Sequence, residues 1–397
     1  MKLLIQLFLI SSFFLPSTFI AQTWNQLDDF PALDRDDAAF FRIGDCAYVG
    51  SGMTTGWTIL GDFYKFNLNT EQWSTCTSLP SGKERQYAAG FSHGEKGYLF
   101  GGYNGTFLSD FWCYDPVADA WTEITAIPAL GRSGMSCFVI GDTAYILGGK
   151  TANESAIDEV WAYNLVANNW TQKNDLPNGN RWRATAIQNG NVSLLGFGKD
   201  EVGVSHSDFY SYDATSDTWS SIADFPSVGR NYVAGMGQNA HLFVAFGIDD
   251  ANTFYKDCWE YNTLNDTWNF VIDLPADERK GGCLFSGTSG LYYTTGIDKD
   301  YVRLQETWRL SLPLSVDENQ LGSLTVFPNP NKGMVTIKSD VLLVKCEVLT
   351  MQGQKVWELD NKLGINEIDL VGIENGMYVM RMQAETGRLF QTLVLVE

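Results

Sequence analysis

The chain has 397 residues, of which 45% are hydrophobic and 14% aromatic, with 38 glycines. This core-forming content excludes an intrinsically disordered chain, and the length accommodates one large domain or two to three ordinary ones. The formal net charge of −20 argues against nucleic acid or an anionic membrane as the main partner, because both attract cationic surfaces.

The first 21 residues have the organisation of a secretory signal peptide. A short positive start is followed by the apolar stretch Leu3–Leu15, and small residues then lead to Ala21. The stretch is too short for a stable membrane span, and no later segment is long enough for one. We therefore expect export through the Sec pathway, cleavage close to residue 21, and a mature chain without a membrane span.

A repeat of about 49 residues organises positions 22–313. One tryptophan marks each copy: Trp24, Trp73, Trp121, Trp170, Trp219 and Trp268. Three further markers keep the same phase, namely the arginines Arg35, Arg85, Arg132, Arg181, Arg230 and Arg279, the glycines Gly52, Gly102, Gly149, Gly198, Gly247 and Gly296, and the acids Asp62, Asp110, Asp158, Asp208, Asp257 and Glu306. Repeats of this length with several markers in phase are typical of the blades of a β-propeller.

Each copy contains four predicted antiparallel strands. In the third copy, a hairpin turn at Gly141–Asp142 joins the first two strands, and Gly148–Gly149 ends the second. The sixth copy lacks the last strand, the one that carries the tryptophan, and an orphan copy of that strand begins at Trp24. We predict that this N-terminal strand completes the sixth blade and closes a six-bladed propeller, with the repeated tryptophans packed between neighbouring blades.

These markers resemble the kelch motif. An arginine opens the first strand, a diglycine ends the second, an acid precedes the aromatic pair of the third, and a tryptophan precedes the fourth. The diglycine is intact only at Gly101–Gly102 and Gly148–Gly149. The resemblance implies a galactose-oxidase-like kelch β-propeller, a scaffold whose members share a fold rather than a function.

The repeat stops before residues 314–323, which we interpret as a polar linker. Residues 324–397 have short alternating strands separated by turns, which predicts a small immunoglobulin-like β-sandwich. This segment resembles the type A C-terminal sorting domain of the type IX secretion system in its motif residues Pro328, Asn329, Pro330, Gly333, Gly353, Gly376 and Tyr378. The resemblance implies the type IX machinery as a partner, and a location outside a Gram-negative bacterium, either secreted or on the cell surface. The alternative is an accessory sandwich that binds glycan.

The phased arginines are the first candidates for a ligand site. Propellers bind ligands on the face where the first strands begin, and all six arginines occupy that face. A ring of cations on an acidic body would attract an anionic ligand such as an acidic sugar or a carboxylate. The alternative is that the arginines pair with acids, several of which lie beside them in the sequence: Asp34, Asp36, Glu84 and Glu278.

Residues that depart from the repeat are the second candidates, because the fold does not require them. They are aromatic or cationic and lie beside the phased arginines or in the loops of the same face: Trp57, Tyr87, Trp182, Arg183 and Tyr232. Aromatic faces next to charged groups are surfaces on which sugars or peptides stack and form hydrogen bonds. The alternative is that each aromatic ring is half-buried in the packing.

We expect no metal, no cofactor and a monomer. The three histidines, His93, His206 and His241, lie at different phases of the repeat, so a shared metal centre is not expected. We interpret the chain as a binding module for a glycan or a protein. The alternative is a carbohydrate-active enzyme, resembling sugar mutarotases, epimerases or lyases, with an arginine–acid site at the propeller mouth.

Overall fold

The computed structural model describes residues 22–312, apart from 191, 239 and 240, and residues 325–396, apart from 328, 330, 332, 340, 341, 351–353, 361–366 and 385–388. The predicted signal peptide 1–21 and linker 314–323 lie outside the described residues. The chain divides into two compact units, residues 1–313 and 314–397. The described parts of both are all-β, as predicted, and they contain no helix that is long and apolar enough to cross a membrane.

Six four-stranded antiparallel sheets, one for each repeat, make up most of the described part of the first unit. We call these four-stranded sheets blades 1 to 6. Two short two-stranded ribbons accompany them, Met53–Thr54 with Thr58–Ile59 and Arg279–Lys280 with Ile297–Asp298. In order from the innermost to the outermost strand, blade 1 contains Ala39–Ile43, Cys46–Gly50, Phe63–Asn67 and Gln72–Cys76; blade 2 Ala89–His93, Lys96–Phe100, Phe111–Asp115 and Ala120–Ile124; blade 3 Ser136–Ile140, Thr143–Gly149, Ile157–Asn164 and Asn169–Gln172; blade 4 Thr185–Asn189, Val192–Gly196, Phe209–Asp213 and Thr218–Ile222; blade 5 Ala234–Gln238, His241–Ala245, Asp257–Asn262 and Thr267–Asp273; and blade 6 Cys283–Gly287, Gly290–Thr294, Thr307–Ser311 and Thr23–Gln26.

The blades form a closed ring. The innermost strand of each blade packs against that of the next, and Cys283–Gly287 of blade 6 returns to Ala39–Ile43 of blade 1. The phased glycines also join neighbouring blades. Each donates its backbone N–H to the carbonyl oxygen of the arginine that opens the next blade, and the bond from Gly296 to Arg35, at 2.8 Å, closes the ring. These glycines have φ angles between +87° and +108°, which explains why glycine recurs at this position.

The N-terminal strand completes blade 6, as the missing strand of the sixth repeat predicts. Thr23–Gln26 pairs antiparallel with Thr307–Ser311, and Trp24 lies opposite Leu310. Trp24 is buried. The pairing joins the two ends of the propeller and covers the outer edge of the Thr307–Ser311 strand.

The repeated tryptophans pack between blades. Trp121 on the outer strand of blade 2 lies with its ring centroid 4.9 Å from that of Phe63 in blade 1, and its Nε1 donates a hydrogen bond to the Thr77 carbonyl oxygen at 2.9 Å. The same bond to the preceding blade runs from Trp170 to Thr125 and from Trp268 to Ala223. These three tryptophans therefore contribute both apolar area and one directional bond to their interfaces, whereas Nε1 of Trp24, Trp73 and Trp219 is buried without a described acceptor.

The second unit contains two antiparallel sheets in its described residues. One has the order Thr325–Phe327, Met334–Lys338 and Glu367–Asp369; the other has the order Lys355–Asp360, Leu343–Thr350, Gly376–Ala384 and Leu389–Val396. Val335 and Ile337 from the first sheet share one buried core with Val348, Met380 and Val394 from the second. This arrangement is consistent with the predicted β-sandwich.

Candidate functional site

The six phased arginines are buried inside the blades. Their side chains are between 0% and 3% exposed, and each forms an ion pair with an acid at or beside the start of the third strand of its own repeat. In blade 2, Arg85 Nη1 and Nη2 lie 2.7 and 2.9 Å from the two carboxylate oxygens of Asp110. The structure therefore agrees with the ion-pair alternative, and it places none of these guanidinium groups where a ligand would reach it.

The partners differ from those that the sequence suggested. The neighbours Asp34, Asp36 and Glu84 do not pair with the phased arginines in the described residues; the third-strand acids do. In blade 3 the partner is Glu159, whose Oε2 lies 2.7 Å from Arg132 Nη2. The acidic marker of the third copy is therefore Glu159, and its assignment to the neighbouring Asp158 was wrong by one residue. Glu159 stands two residues before Trp161, as Asp110 stands before Trp112, so the spacing to the aromatic residue identifies the partner.

A second set of six residues encircles the propeller axis. These residues stand two positions after each phased arginine, and we call them the axial ring: Asp37, Tyr87, Gly134, Arg183, Tyr232 and Gly281. All six have positive φ, between 56° and 68°. The left-handed conformation costs an L-residue about 1–2 kcal/mol, a cost that glycine avoids. Four large side chains therefore occupy positions where the backbone favours glycine, which is a feature of functional sites.

An ion pair crosses the centre of the axial ring. Arg183 in blade 4 places Nη1 2.7 Å from Asp37 Oδ1 in blade 1, and the two side chains are only 10% and 2% exposed. The guanidinium carbon lies 3.7 Å from the ring centroid of Tyr87 and 3.9 Å from that of Tyr232. The two tyrosines come from opposite blades. The guanidinium therefore contacts two aromatic rings in addition to its carboxylate partner.

Both members of this ion pair have raised pKa values. Burial raises the pKa of the Asp37 carboxyl to about 7, with a further rise from Asp36, while Arg183 and Lys280 oppose the change. Burial also acts to lower the pKa of Arg183, but Asp37 and the two tyrosines outweigh it and raise that pKa. Asp37 is therefore an acid that titrates near neutral pH beside a permanent cation.

Arg183 retains two donors for which the described residues supply no partner. Asp37 binds only Nη1, and both Nε and Nη2 are buried without a hydrogen bond. Nε1 of Trp182 is buried and unpartnered in the same part of the structure. A buried donor without a partner costs about 1–3 kcal/mol, so a group that accepted these bonds would be bound favourably.

Two lysines flank the aromatic side of this cluster. Lys280 Nζ lies 4.3 Å from the ring centroid of Tyr232, and Lys150 Nζ lies 5.7 Å from that of Trp182. Neither lysine forms an ion pair with any carboxylate that the structure describes. On the blade 1 side, in contrast, Arg303 Nε bonds to Asp36 Oδ1 at 2.6 Å. We call the opening of the propeller at the axial ring the mouth. Its charge is positive towards blades 3 to 6 and balanced towards blade 1.

The axial ring lines a cavity of about 140 Å³. A second cavity of about 210 Å³ follows the innermost strands further into the propeller and is lined by small residues that include Ala39, Ala89 and Ala186. Trp57 lies apart from both. It is 77% exposed in the loop between the second and third strands of blade 1, and the guanidinium carbon of Arg303 lies 5.2 Å from its ring centroid.

The sorting motif of the second unit is tied to the last strand. The side-chain oxygen of Asn329 accepts a bond from the backbone N–H of Leu395 at 2.8 Å. Asn331, which the sequence analysis did not select, is 1% exposed, donates two bonds to the Leu395 carbonyl oxygen and accepts one from the Gly333 N–H. Tyr378 donates to the Glu374 carbonyl oxygen at 2.8 Å. Pro328, Pro330 and Gly353 lie outside the described residues.

Comparison with protein families matches both units. Residues 14–149 match the KLHDC2/KLHL20/DRC7 Kelch-repeats domain, and residues 131–177 match the Kelch motif. Residues 325–396 match the Secretion system C-terminal sorting domain. The chain is a kelch-repeat protein with a type IX sorting domain. The kelch fold and the sorting domain that the motifs predict are therefore confirmed.

Curated relatives of this kelch protein match only in part. An N-acetylneuraminate epimerase from Haemophilus influenzae (strain PittEE) is 33% identical over 116 residues, which are 27% of this chain and 29% of the epimerase. The ulvan lyase NLR42 from Nonlabens ulvanivorans is 32% identical over 92 residues, 22% of this chain and 17% of the lyase. Kelch domain-containing protein 3 from Bos taurus is 33% identical over 92 residues, 21% of this chain and 24% of that protein. The matched segments thus span less than a third of each of these relatives.

Among solved structures, the kelch propeller resembles one titled "Structure of YjhT". The TM-score is 0.61 at 16% sequence identity, and the alignment covers 72% of this chain and 99% of that one. At this identity the likeness concerns the fold.

The structure brings four of the predicted site residues together in the kelch propeller: Tyr87, Trp182, Arg183 and Tyr232. It adds Asp37 and Lys280, which the sequence analysis did not select. Asp37 carried a usable signal, because it stands at the same repeat position as Tyr87, Arg183 and Tyr232. Lys280 follows a phased arginine directly, as Trp182 does, and a comparison of that position across copies would have found it. Within the described residues no three metal-binding side chains converge.

Proposed function

We propose that this exported kelch propeller is a binding module for a glycan or protein ligand, and that the ligand enters the mouth at the axial ring. One observation carries the proposal. Tyr87, Trp182 and Tyr232 surround a charged pair at the axis, at or beside positions where the backbone favours glycine. Aromatic faces next to hydrogen-bonding charges are the chemistry that holds sugar rings.

The size of the mouth favours a glycan over a protein. The cavity of about 140 Å³ is smaller than the roughly 300–1,000 Å³ of pockets that enclose drug-sized ligands. It accommodates a single small unit, such as the end of a sugar chain, with the remainder of the ligand lying on the surrounding loops. A protein partner would need a broader surface than the cavity provides.

Glycan binding by matched variants tests the proposal. The full chain without residues 1–21 would be applied to an array of neutral and acidic glycans, and the strongest ligand measured by calorimetry. Trp182→Ala should weaken binding at least tenfold, because it removes an aromatic face and a donor from the mouth. Phe270→Ala is the matched control, since it removes a 53% exposed aromatic ring from an outer strand and should leave the affinity unchanged.

One result would contradict the proposed site, and a second would decide the class of ligand. Binding that survives Trp182→Ala would place the ligand elsewhere on the molecule. Absence of binding to every glycan on the array, together with capture of a folded protein through the loops, would favour the protein alternative.

A sugar epimerase or mutarotase is the second candidate. It is favoured by the Asp37 carboxyl, whose pKa lies near 7 through burial, because a general acid–base works best when its pKa is near the operating pH. The matched segment of an N-acetylneuraminate epimerase makes N-acetylneuraminate the substrate to assay first. Turnover that Asp37→Asn abolishes while ligand binding persists would establish an enzyme, and binding without turnover would leave the binding module.

We further propose that the protein leaves the cell through the type IX machinery and is either released or held at the surface. The matched sorting domain supports this route. Deletion of residues 324–397 should leave the propeller folded and retained in the periplasm, as fractionation and immunoblotting would show. Detection of the truncated chain outside intact cells would contradict the route.

A further inference from the structure

Arg183 presents an unused recognition edge to the mouth. A guanidinium group binds a carboxylate in two parallel hydrogen bonds through adjacent N–H groups. Asp37 occupies only Nη1, which leaves the edge formed by Nε and Nη2. Both atoms are buried, and no described residue accepts a hydrogen bond from them.

The surroundings of this edge suit an anion. The Arg183 side chain is nine-tenths buried and lines the axial cavity together with Tyr87 and Tyr232. Lys280 lies over the face of Tyr232 and has no carboxylate partner among the residues described. Asp37 and Asp36 face the three cations Arg183, Lys280 and Arg303, so these two carboxyl groups cannot neutralise all of the positive charge. An additional negative charge would therefore be stabilised in this cavity.

We infer that the Nε–Nη2 edge of Arg183 is an anion subsite, and that the ligand of the mouth is an acidic sugar whose carboxylate binds there in two parallel hydrogen bonds. This inference rests on the proposed function and specifies its ligand. The anion that the sequence analysis assigned to the six phased arginines is thereby assigned to Arg183 alone, because each phased arginine is at most 3% exposed, is paired with its own acid and does not line the axial cavity.

The orientation of the sugar follows from the position of the carboxylate. With the carboxylate on Arg183, the ring of the sugar lies against Trp182 and Tyr232, whose centroids are 5.9 Å apart in an edge-to-face arrangement. The Trp182 Nε1 donor, buried and unpartnered, is then available to a ring hydroxyl. Lys280 adds attraction without fixed geometry, because an ammonium group acts as a point charge.

The test compares acidic sugars with their uncharged counterparts. Tri-galacturonic acid and N-acetylneuraminate would be titrated beside the methyl ester of each, which masks the carboxylate and keeps the ring. We expect each ester to bind at least tenfold more weakly than its acid. Equal affinity of acid and ester would overturn the inference, and so would preferential binding of a short peptide through its free C-terminal carboxylate.

Variants of the pair separate the subsite from a purely structural role. Arg183→Lys keeps the charge but loses the two-point edge, so it should weaken the binding of the acids at least tenfold and remove most of their advantage over the methyl esters. Asp37→Asn removes the carboxylate that competes for Arg183, so the affinity for acidic sugars should rise severalfold. An unchanged or lower affinity would contradict the inference, even if Arg183→Lys failed to fold. Arg309→Lys is the control, because Arg309 pairs with Glu71 on the outer strands and its replacement should change no affinity.

The results distinguish this inference from the proposed function. If neutral and acidic glycans bind equally and both depend on Trp182, the proposed function stands and the anion subsite is wrong. If no glycan binds at all, the inference fails, and the proposed function fails too unless a protein binds at the axial ring.

Discussion

Asp37 and Arg183 are held at the axis by backbone positions that favour glycine. The two residues are 146 positions apart in the chain, and each occupies a left-handed conformation that two other copies fill with glycine. Backbone hydrogen bonds between neighbouring blades, such as Tyr87 N–H to the Asp37 carbonyl oxygen and Arg183 N–H to that of Gly134, hold this conformation. It costs each residue other than glycine about 1–2 kcal/mol. Glycine would form the same bonds without that strain, so the choice of large side chains is explained if they serve a ligand.

The raised pKa of Asp37 predicts a specific dependence of stability on pH. The folded carboxyl titrates near pH 7 because of burial, whereas an unfolded aspartate titrates near 3.9. Between about pH 4 and pH 7 the folded state therefore holds a proton that the unfolded state has released. The contribution of Asp37 to the free energy of unfolding should fall through this window and remain constant above it.

Urea unfolding of the wild type and Asp37→Asn from pH 4.5 to pH 8.5 measures this contribution. The stability of the wild type relative to the variant should decline by up to about 4 kcal/mol for a pKa difference of three units, and by less if Arg183 moves with the titration. A difference that stays constant from pH 4.5 to pH 8.5 would show that Asp37 is ionised throughout.

Gly134 provides the space that Trp182 occupies. A Cβ added at Gly134 would lie 2.4 Å from Trp182 Nε1, and the φ of Gly134 is +62°. Gly134→Ala should therefore destabilise the fold by about 2–3 kcal/mol, combining backbone strain with overpacking, and weaken glycan binding by displacing Trp182. Gly141→Ala is the control, because Gly141 has a φ of +56° and open space around it; chemical denaturation should show only the backbone cost, about 1–2 kcal/mol. Equal losses in the two variants would contradict the contact.

At the scale of the blade, the phased ion pair joins the segment before the first strand to the third strand. In four copies the acid is aspartate and binds the arginine through both oxygens. In blades 3 and 6 it is glutamate and binds through one oxygen. The shorter aspartate side chain thus gives the more complete pairing.

This difference predicts unequal costs for removing the arginine. Arg181→Ala leaves Asp208, 17% exposed, without an ion-pair partner among the described residues, and should cost about 3–5 kcal/mol. Arg132→Ala leaves Glu159, which is 39% exposed and can be hydrated, so the loss should be smaller by at least about 1 kcal/mol. Guanidinium chloride denaturation of both variants makes the comparison, and an equal or larger loss for Arg132→Ala would contradict it.

At the scale of the whole molecule, the N-terminal strand determines whether the ring stays closed. Thr23–Gln26 covers the outer edge of Thr307–Ser311, and Trp24 packs with its ring centroid 6.0 Å from that of Phe246. Deleting residues 22–26 should lower the melting temperature by several degrees, because backbone pairing and a buried tryptophan are both lost.

The same deletion exposes an unpaired edge that another chain can bind. We expect the truncated propeller to self-associate in size-exclusion chromatography at concentrations where the full-length protein does not. Asn25→Ala changes an exposed side chain in the same strand and should leave both the melting temperature and the elution volume unchanged. A truncated chain that melts and elutes like the full-length protein would show that the strand is dispensable.

The sequence by itself determined the all-β class, the repeat, the strand that closes blade 6 and the C-terminal sorting domain. The first three features depend on a local pattern that occurs in six copies, so each copy supports the interpretation of the others. The sorting domain depends on short motifs that are specific in combination. It also indicated Tyr87, Trp182, Arg183 and Tyr232, because each departs from the other copies at its position. The acidic marker of the third copy was placed at Asp158, one residue before the acid that pairs with Arg132, because adjacent acids at 158 and 159 make the phase ambiguous until a distance is measured.

Only the tertiary structure shows which arginine lies at the axis. Arg183 stands two positions after a phased arginine; the six phased arginines are buried in ion pairs within their own blades, while Arg183 lines the axial cavity. Asp37 and Arg183 meet only because the ring closes and places blade 1 opposite blade 4, a contact that no local spacing encodes. Burial in that contact shifts the pKa of Asp37 and leaves the Nε–Nη2 edge of Arg183 unpaired, and both depend on neighbours that folding alone assembles.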